Sequence, residues 1–145
     1  MINAYIAEFV GTAILLLLGQ GIVANVNLSK TKGYEETPLI SITTAWGFAV
    51  FVAAYITGQF SGAHLNPAVT IGLLFAGKFS SELVFGYILS QLFGAMLGSG
   101  LAYFFYIDHY KATSDEAKVM GSFCTSPAIR KFKNNFLSEF IATLF

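Results

Sequence analysis

"SGAHLNPAVTIGLLFAGK", Ser61 to Lys78, begins with residues that interrupt a helix and ends with an apolar run too short to cross a bilayer. It overlaps an uncharged tract, Thr37 to Gly77, that is too long for one membrane crossing and awkward for two. After Pro67 the apolar run reaches only Phe75 or Ala76. At the helical rise this is about 15 Å, half of a hydrocarbon core of roughly 30 Å. A half-length helix behind an irregular polar lead-in reads as a re-entrant hairpin, Gly58 to Ala76, that returns to the side it left. Such backbone persists at membrane depth only when buried in protein or lining a water-filled cavity.

The rest of the chain fits a membrane setting. Of its 145 residues, 55% are hydrophobic and only 11% charged, with mean hydropathy +0.66. A soluble domain carries roughly 25% charged residues. Eight acidic and eight basic side chains cancel, so nothing suggests nucleic-acid binding. Two further uncharged tracts, Phe9 to Ser29 and Leu83 to Ile107, each fit one helical crossing. The expected spans are Tyr5 to Val26, Leu39 to Thr57 and Leu83 to Ile107. The first lacks a basic leader and carries Glu8 near its start, so it reads as a retained span and not as a signal peptide. Gly94 and Gly98 form a GxxxG pair suited to close helix packing, and the Gly19/Gly21 pair is a candidate bend.

"AEFVGTAI", Ala7 to Ile14, aligns with "SEFIATLF", Ser138 to Phe145. Glu8 pairs with Glu139 and Thr12 with Thr143. Three crossings separate the copies, so the second would enter from the opposite side, as in inverted-repeat transport proteins. The expected organisation is a first repeat over residues 1–131 and the start of a second over 132–145. Loop charge is sparse. Taken literally, "RKFK", Arg130 to Lys133, puts its own side and the Asn27–Pro38 loop in the cytoplasm.

Asn66 suits a helix N-cap and Pro67 the first turn. A helix beginning near mid-membrane presents free N–H groups and its positive end there. That suits either an anion or a barrier to cations, with Asn66 donating to a neutral solute. No nearby Lys or Arg supports an anion site. The carbonyls of the extended segment Ser61 to His64 lack helical partners, and Gly62 permits close solute approach. His64 is either a lining residue or a structural donor. Glu8 and Glu139 are costly in spans unless partnered. They serve either proton coupling or, as we favour, acceptance of loop N–H groups. Gln91 is placed to brace such a loop. Trp46 belongs either to an interfacial belt or to a pore wall. His64 and His109 are too isolated for a metal site, and no cofactor motif or nucleophile–base pair supports an enzyme.

These residues together resemble the aquaporin/glycerol-facilitator family. "SGAHLNPAVT" resembles its first Asn-Pro-Ala loop, "AEFVGT" its first helix, "SQLFGA" (Ser90–Ala95) its third, and "SEFIATLF" the beginning of its fourth. The resemblance implies an all-α membrane fold of six spans and two half-helices in inverted repeats, assembled as a homotetramer in the cell membrane. It also implies a cytoplasmic N-terminus, against the literal charge reading. Asn66, Pro67 and Ala68 match the paired pore motif, and Gly62, Ala63 and His64 the carbonyl ladder. Glu8 and Glu139 match the buried carboxylates. Trp46 falls where glycerol-conducting members place a filter tryptophan. The implied function is passive conduction of glycerol, small polyols and water. A water-selective pore, a proton-coupled transporter and a non-conducting interaction protein are the alternatives. The second Asn-Pro-Ala motif and the filter arginine do not occur in these residues, so the expectation is a piece of a longer chain that does not conduct alone.

Overall fold

The computed structural model describes residues 2–144. It contains seven helices among them: α1 (Ile2–Asn27), α2 (Leu39–Ser61), α3 (Pro67–Phe75), α4 (Ser81–Phe105), α5 (Ile107–Ala112), α6 (Glu116–Gly121) and α7 (Phe132–Leu144). α1, α2 and α4 are long and apolar enough to cross a membrane, with mean hydropathy 1.9, 1.9 and 1.4 over their best windows. α1 and α2 contain the first two expected spans whole, while α4 ends at Phe105, two residues short of the expected Ile107. α2 runs four residues further than expected, because Gly58 is tolerated within it and the break falls at Gly62.

α1 is the central element. It packs against both α2 and α4, while α3 leans on α4. Missing side chains set the α1–α4 distance. A Cβ on Gly94 would collide with the Phe9 carbonyl oxygen, and one on Gly98 with that of Ala13. The GxxxG pair thus brings two backbones into contact. These contacts advance together along both chains, so α1 and α4 run parallel. α2 runs antiparallel to α1: Gly11 sits against Thr57, and Gly19 against Trp46. α1 is continuous through Gly19 and Gly21. The lack of a Cβ on Gly19 admits the Trp46 ring, whose atoms would lie 2.6 Å from such a carbon.

α3 ends in a Schellman motif. Lys78 N–H donates to the Leu73 carbonyl (2.9 Å) and Gly77 N–H to that of Leu74 (3.0 Å), with Gly77 at φ 69°. This sharp stop lets α4 begin within a few residues.

The region after α4 was expected to be one long loop, and two short helices were missed there. Asp115 caps α6 by accepting from Ala117 and Lys118 N–H. Tyr110 on α5 packs with Ala24 and Leu28 at the end of α1. Its hydroxyl pairs with Ser122 Oγ at 2.8 Å, and its ring stacks on Phe123 at 5.4 Å. Ser29 N–H donates to Thr113 Oγ1 (2.9 Å), tying the first loop to the same region. Burial pushes the Tyr110 phenol above its ordinary pKa, with the Ser122 bond acting in the opposite direction. α7 has no buried residue.

Candidate pore-lining site

The segment between α2 and α3 has five residues, Gly62 to Asn66. It was expected to be extended, but three of its residues are left-handed: Gly62 at φ 81°, Ala63 at 51° and Leu65 at 52°. Glycine takes this conformation freely, whereas alanine and leucine pay about 1–2 kcal/mol each. Ser61 closes α2 and is not part of the loop.

Glu8 holds this conformation. Its side chain is 0% exposed and accepts four hydrogen bonds. Oε1 takes Ser61 Oγ–H (2.6 Å) and His64 N–H (2.9 Å). Oε2 takes Leu65 N–H (2.7 Å) and Gln91 Nε2–H (2.7 Å). A buried carboxylate requires such partners, and buried loop N–H groups require such an acceptor. The two needs are met in one place. Gln91 also donates to Thr70 Oγ1 (2.9 Å), and Tyr87 Oη–H donates to the Ser61 carbonyl (2.8 Å). Gln91 Oε1 is buried without a partner among the described residues.

His64 joins the bracing. Its ring is buried, with Nδ1 3.0 Å from Thr70 Oγ1, and lies between Phe79 (4.5 Å) and Tyr87 (4.9 Å). The Nδ1 nitrogen and both neighbouring rings thus tie the side chain to the loop's packing, while Nε2 makes no hydrogen bond among the described residues. The carbonyls of Gly62, Ala63 and His64 accept no hydrogen bond from the described residues. Gly62 is exposed and Ala63 half-buried.

Asn66 closes the loop as the N-cap of α3. Its Oδ1 accepts Ala68 N–H (2.8 Å), and Pro67 occupies the first turn. Capping fixes the oxygen as acceptor, and Nδ2 of this exposed residue makes no hydrogen bond among the described residues, so it is free to donate. Trp46 is half-buried and lines a cavity of about 590 Å³ with Gln20 of α1 and the Gly121–Thr125 segment.

Glu139 does not share Glu8's burial. It is exposed on α7, so the expected buried carboxylate is not formed within the described residues: no loop donors surround it. Ser61, Thr70 and Tyr87 were not singled out from the sequence. The first two carried a signal, as hydroxyl residues beside the re-entrant segment. No group of three or more His, Cys, Asp or Glu able to hold a metal occurs among the described residues.

Residues 1–145 match the family model for major intrinsic proteins. A probable glycerol uptake facilitator protein of Thermotoga maritima is 49% identical over 142 residues, 98% of this chain and 60% of that protein. A glycerol uptake facilitator protein of Streptococcus pneumoniae is 45% identical over 143 residues, 99% and 61% respectively. The X-ray structure of the aquaglyceroporin from Plasmodium falciparum is similar with TM-score 0.70 and 34% identity, over 77% of this chain and 44% of that one. The chain thus spans about three-fifths of the length of these curated relatives. The likeness gives it an aquaporin-like fold, and with its three apolar helices it is an integral membrane protein. A match along the whole sequence, joined to a half-helix entered through a carboxylate-braced Asn-Pro-Ala loop, places the chain in the major intrinsic protein family.

Proposed function

We propose that the complete protein is a passive channel for glycerol and other small neutral solutes, with water. The observation that carries this reading is the run of unpaired carbonyls at Gly62, Ala63 and His64 leading to the unpaired Nδ2 of Asn66. Acceptors in a row followed by a donor suit a molecule of linked hydroxyls, which both donates and accepts. The positive end of α3 beside that donor repels cations. In this reading Asn66, Pro67 and Ala68 form the first of two pore motifs. Gly62, Ala63 and His64 supply the ladder, Trp46 walls the filter, and Glu8 and Gln91 brace the loop. The relatives named as glycerol uptake facilitators support the solute class.

We assign residues 1–131 to a first repeat and 132–145 to the start of an inverted second one. In the complete chain Glu139 braces a second loop as Glu8 braces the first. Such chains assemble as homotetramers in the cell membrane with the N-terminus in the cytoplasm. The protein is a channel and not an enzyme. Proton coupling through Glu8 is disfavoured because four donors occupy its two oxygens and none of its surface is exposed.

The test is glycerol efflux from proteoliposomes carrying the complete chain, with no pH gradient. Flux that saturates only when a proton gradient is imposed would overturn the passive reading. Trp46→Phe should change the glycerol-to-water permeability ratio, and an unchanged ratio removes Trp46 from the filter.

A further inference from the structure

The groove between α1 and α4 is apolar along its length and polar at one end. Leu17, Leu18 and Ile22 of α1, with Ala102 and Phe105 of α4, line a space of about 410 Å³ that no charged residue borders. Gly21 keeps it open, because a Cβ there would meet nothing within 4 Å. Asn25 and Tyr106 close one end. Asn25 lies two residues before the end of α1, and Tyr106 directly follows α4, so this end sits where both spans stop. Leu17, at the other end, lies eight residues deeper on α1, about 12 Å at the helical rise. One leaflet of hydrocarbon is about 15 Å deep. Both polar side chains are held in place. The Asn25 amide packs against Gly33, where a Cβ would collide with it. The Tyr106 ring packs on the cluster of Ala24, Leu28 and Tyr110 and lies edge-on to Phe105 at 5.0 Å. The bonds that tie the neighbouring loop to α5 run through Ser29, His109 and Thr113. The Asn25 amide and the Tyr106 hydroxyl take no part in these or in any other hydrogen bond among the described residues.

The groove opens away from the Trp46 cavity. Leu16, Gln20 and Val23 of α1 border that cavity, whereas Leu18, Gly21 and Asn25 stand about half a turn round the same helix. A second half that closes the pore packs on the first of these faces, which leaves the groove, with Leu18 and Phe105 exposed beside it, to the bilayer. The bilayer supplies molecules with the matching pattern, an apolar chain that ends at interfacial depth in a hydrogen-bond acceptor. Tyr106 Oη and Asn25 Nδ2 are donors at that depth. With no Lys or Arg beside them, they suit an uncharged ester carbonyl and not a phosphate. We propose that the α1–α4 groove binds one acyl chain of a glycerolipid from the leaflet on the side of the α1–α2 loop, with Asn25 and Tyr106 holding its ester carbonyl. The site rests on the membrane setting of the helices and not on conduction.

The test is native mass spectrometry of the complete natural chain in detergent. The probes are palmitoyl-oleoyl phosphatidylethanolamine and its diether analogue, which has the same headgroup and no ester carbonyl. The wild type should hold the diester about twofold to tenfold more tightly than the diether, the range for a neutral hydrogen bond. Tyr106→Phe and Asn25→Leu should each reduce that preference and leave diether binding unchanged. Gly21→Leu, whose Cβ meets nothing and whose side chain extends into the groove, should retain one lipid fewer per chain than the wild type. A wild type that does not distinguish diester from diether overturns the proposal, and that comparison involves no substitution, so it stands where the variants fail to fold. Equal lipid counts in the wild type and Gly21→Leu also overturn it. Loss of subunits from the Gly21→Leu assembly with the lipid count per chain unchanged overturns it too, and makes a second copy of the chain the occupant of the groove.

Discussion

Glu8 Oε2 accepts the backbone N–H of Leu65 at 2.7 Å, joining the first helix to a left-handed residue 57 positions later. That bond and its three companions make the re-entrant loop a property of α1 as much as of its own sequence. Glu8→Ala strands two buried backbone N–H groups, a hydroxyl and an amide, at about 1–3 kcal/mol for each group left unpaired. We expect the variant to unfold in detergent at a much lower temperature, or to fail to accumulate. Glu8→Gln keeps one acceptor and should fall between. A Glu8→Ala protein as heat-resistant as the wild type would show that the loop holds its shape without the carboxylate.

Asn66 performs two tasks with two atoms, and one substitution separates them. Asn66→Asp keeps an oxygen to accept Ala68 N–H, so the cap is retained, but it removes the Nδ2 donor. Stability should change by less than about 1 kcal/mol, whereas glycerol permeability should drop at least tenfold. Asn66→Ala loses both and should be less stable as well. Undiminished glycerol flux through Asn66→Asp would mean that Nδ2 does not touch the solute.

The sequence made α3 and its cap legible because Asn-Pro followed by a short apolar run has few structural solutions. The three spans were legible from uncharged tracts of suitable length. What the sequence hid was the conformation of Ala63 and Leu65. No local propensity places alanine or leucine in the left-handed region; Ser61 Oγ accepts Ala63 N–H, and the distant Glu8 accepts those of His64 and Leu65. Glu8 itself was recognised as a brace, but its partners Ser61 and Gln91 meet it only after three helices have packed. The short helices α5 and α6 were concealed by mixed charge, although Asp115 before Glu116 was a usable capping signal.

Tyr110 gives the α5–α6 region a predictable response to pH. Burial raises its pKa in the folded chain, so above pH of about 10 the unfolded chain binds fewer protons than the folded one. Stability is then flat below that value and falls as pH rises from it toward the folded pKa. Limited trypsin cleavage at Lys118 or Arg130 should therefore accelerate on alkaline titration. Tyr110→Phe, which cannot ionise, should remove that acceleration at the cost of the Ser122 bond. Identical pH profiles for the two proteins would exclude Tyr110 as the source.

Glu139 distinguishes a real second repeat from a chance match of apolar residues. Here it is exposed on a helix with no buried residue. If the repeat is genuine, a chain carrying both halves folds a second loop against it, and the carboxylate gains donors as Glu8 has. Glu139→Ala in the complete chain should then destabilise as strongly as Glu8→Ala, to within about 1–2 kcal/mol. In the 145-residue segment alone the same substitution should shift stability by less than about 0.5 kcal/mol, as for other surface positions. Comparing thermal unfolding of these three variants with their two parent proteins checks this directly. A Glu139→Ala effect that is small in both contexts would leave Glu8 as the sole loop-bracing carboxylate and the two Glu-Phe pairs as coincidence.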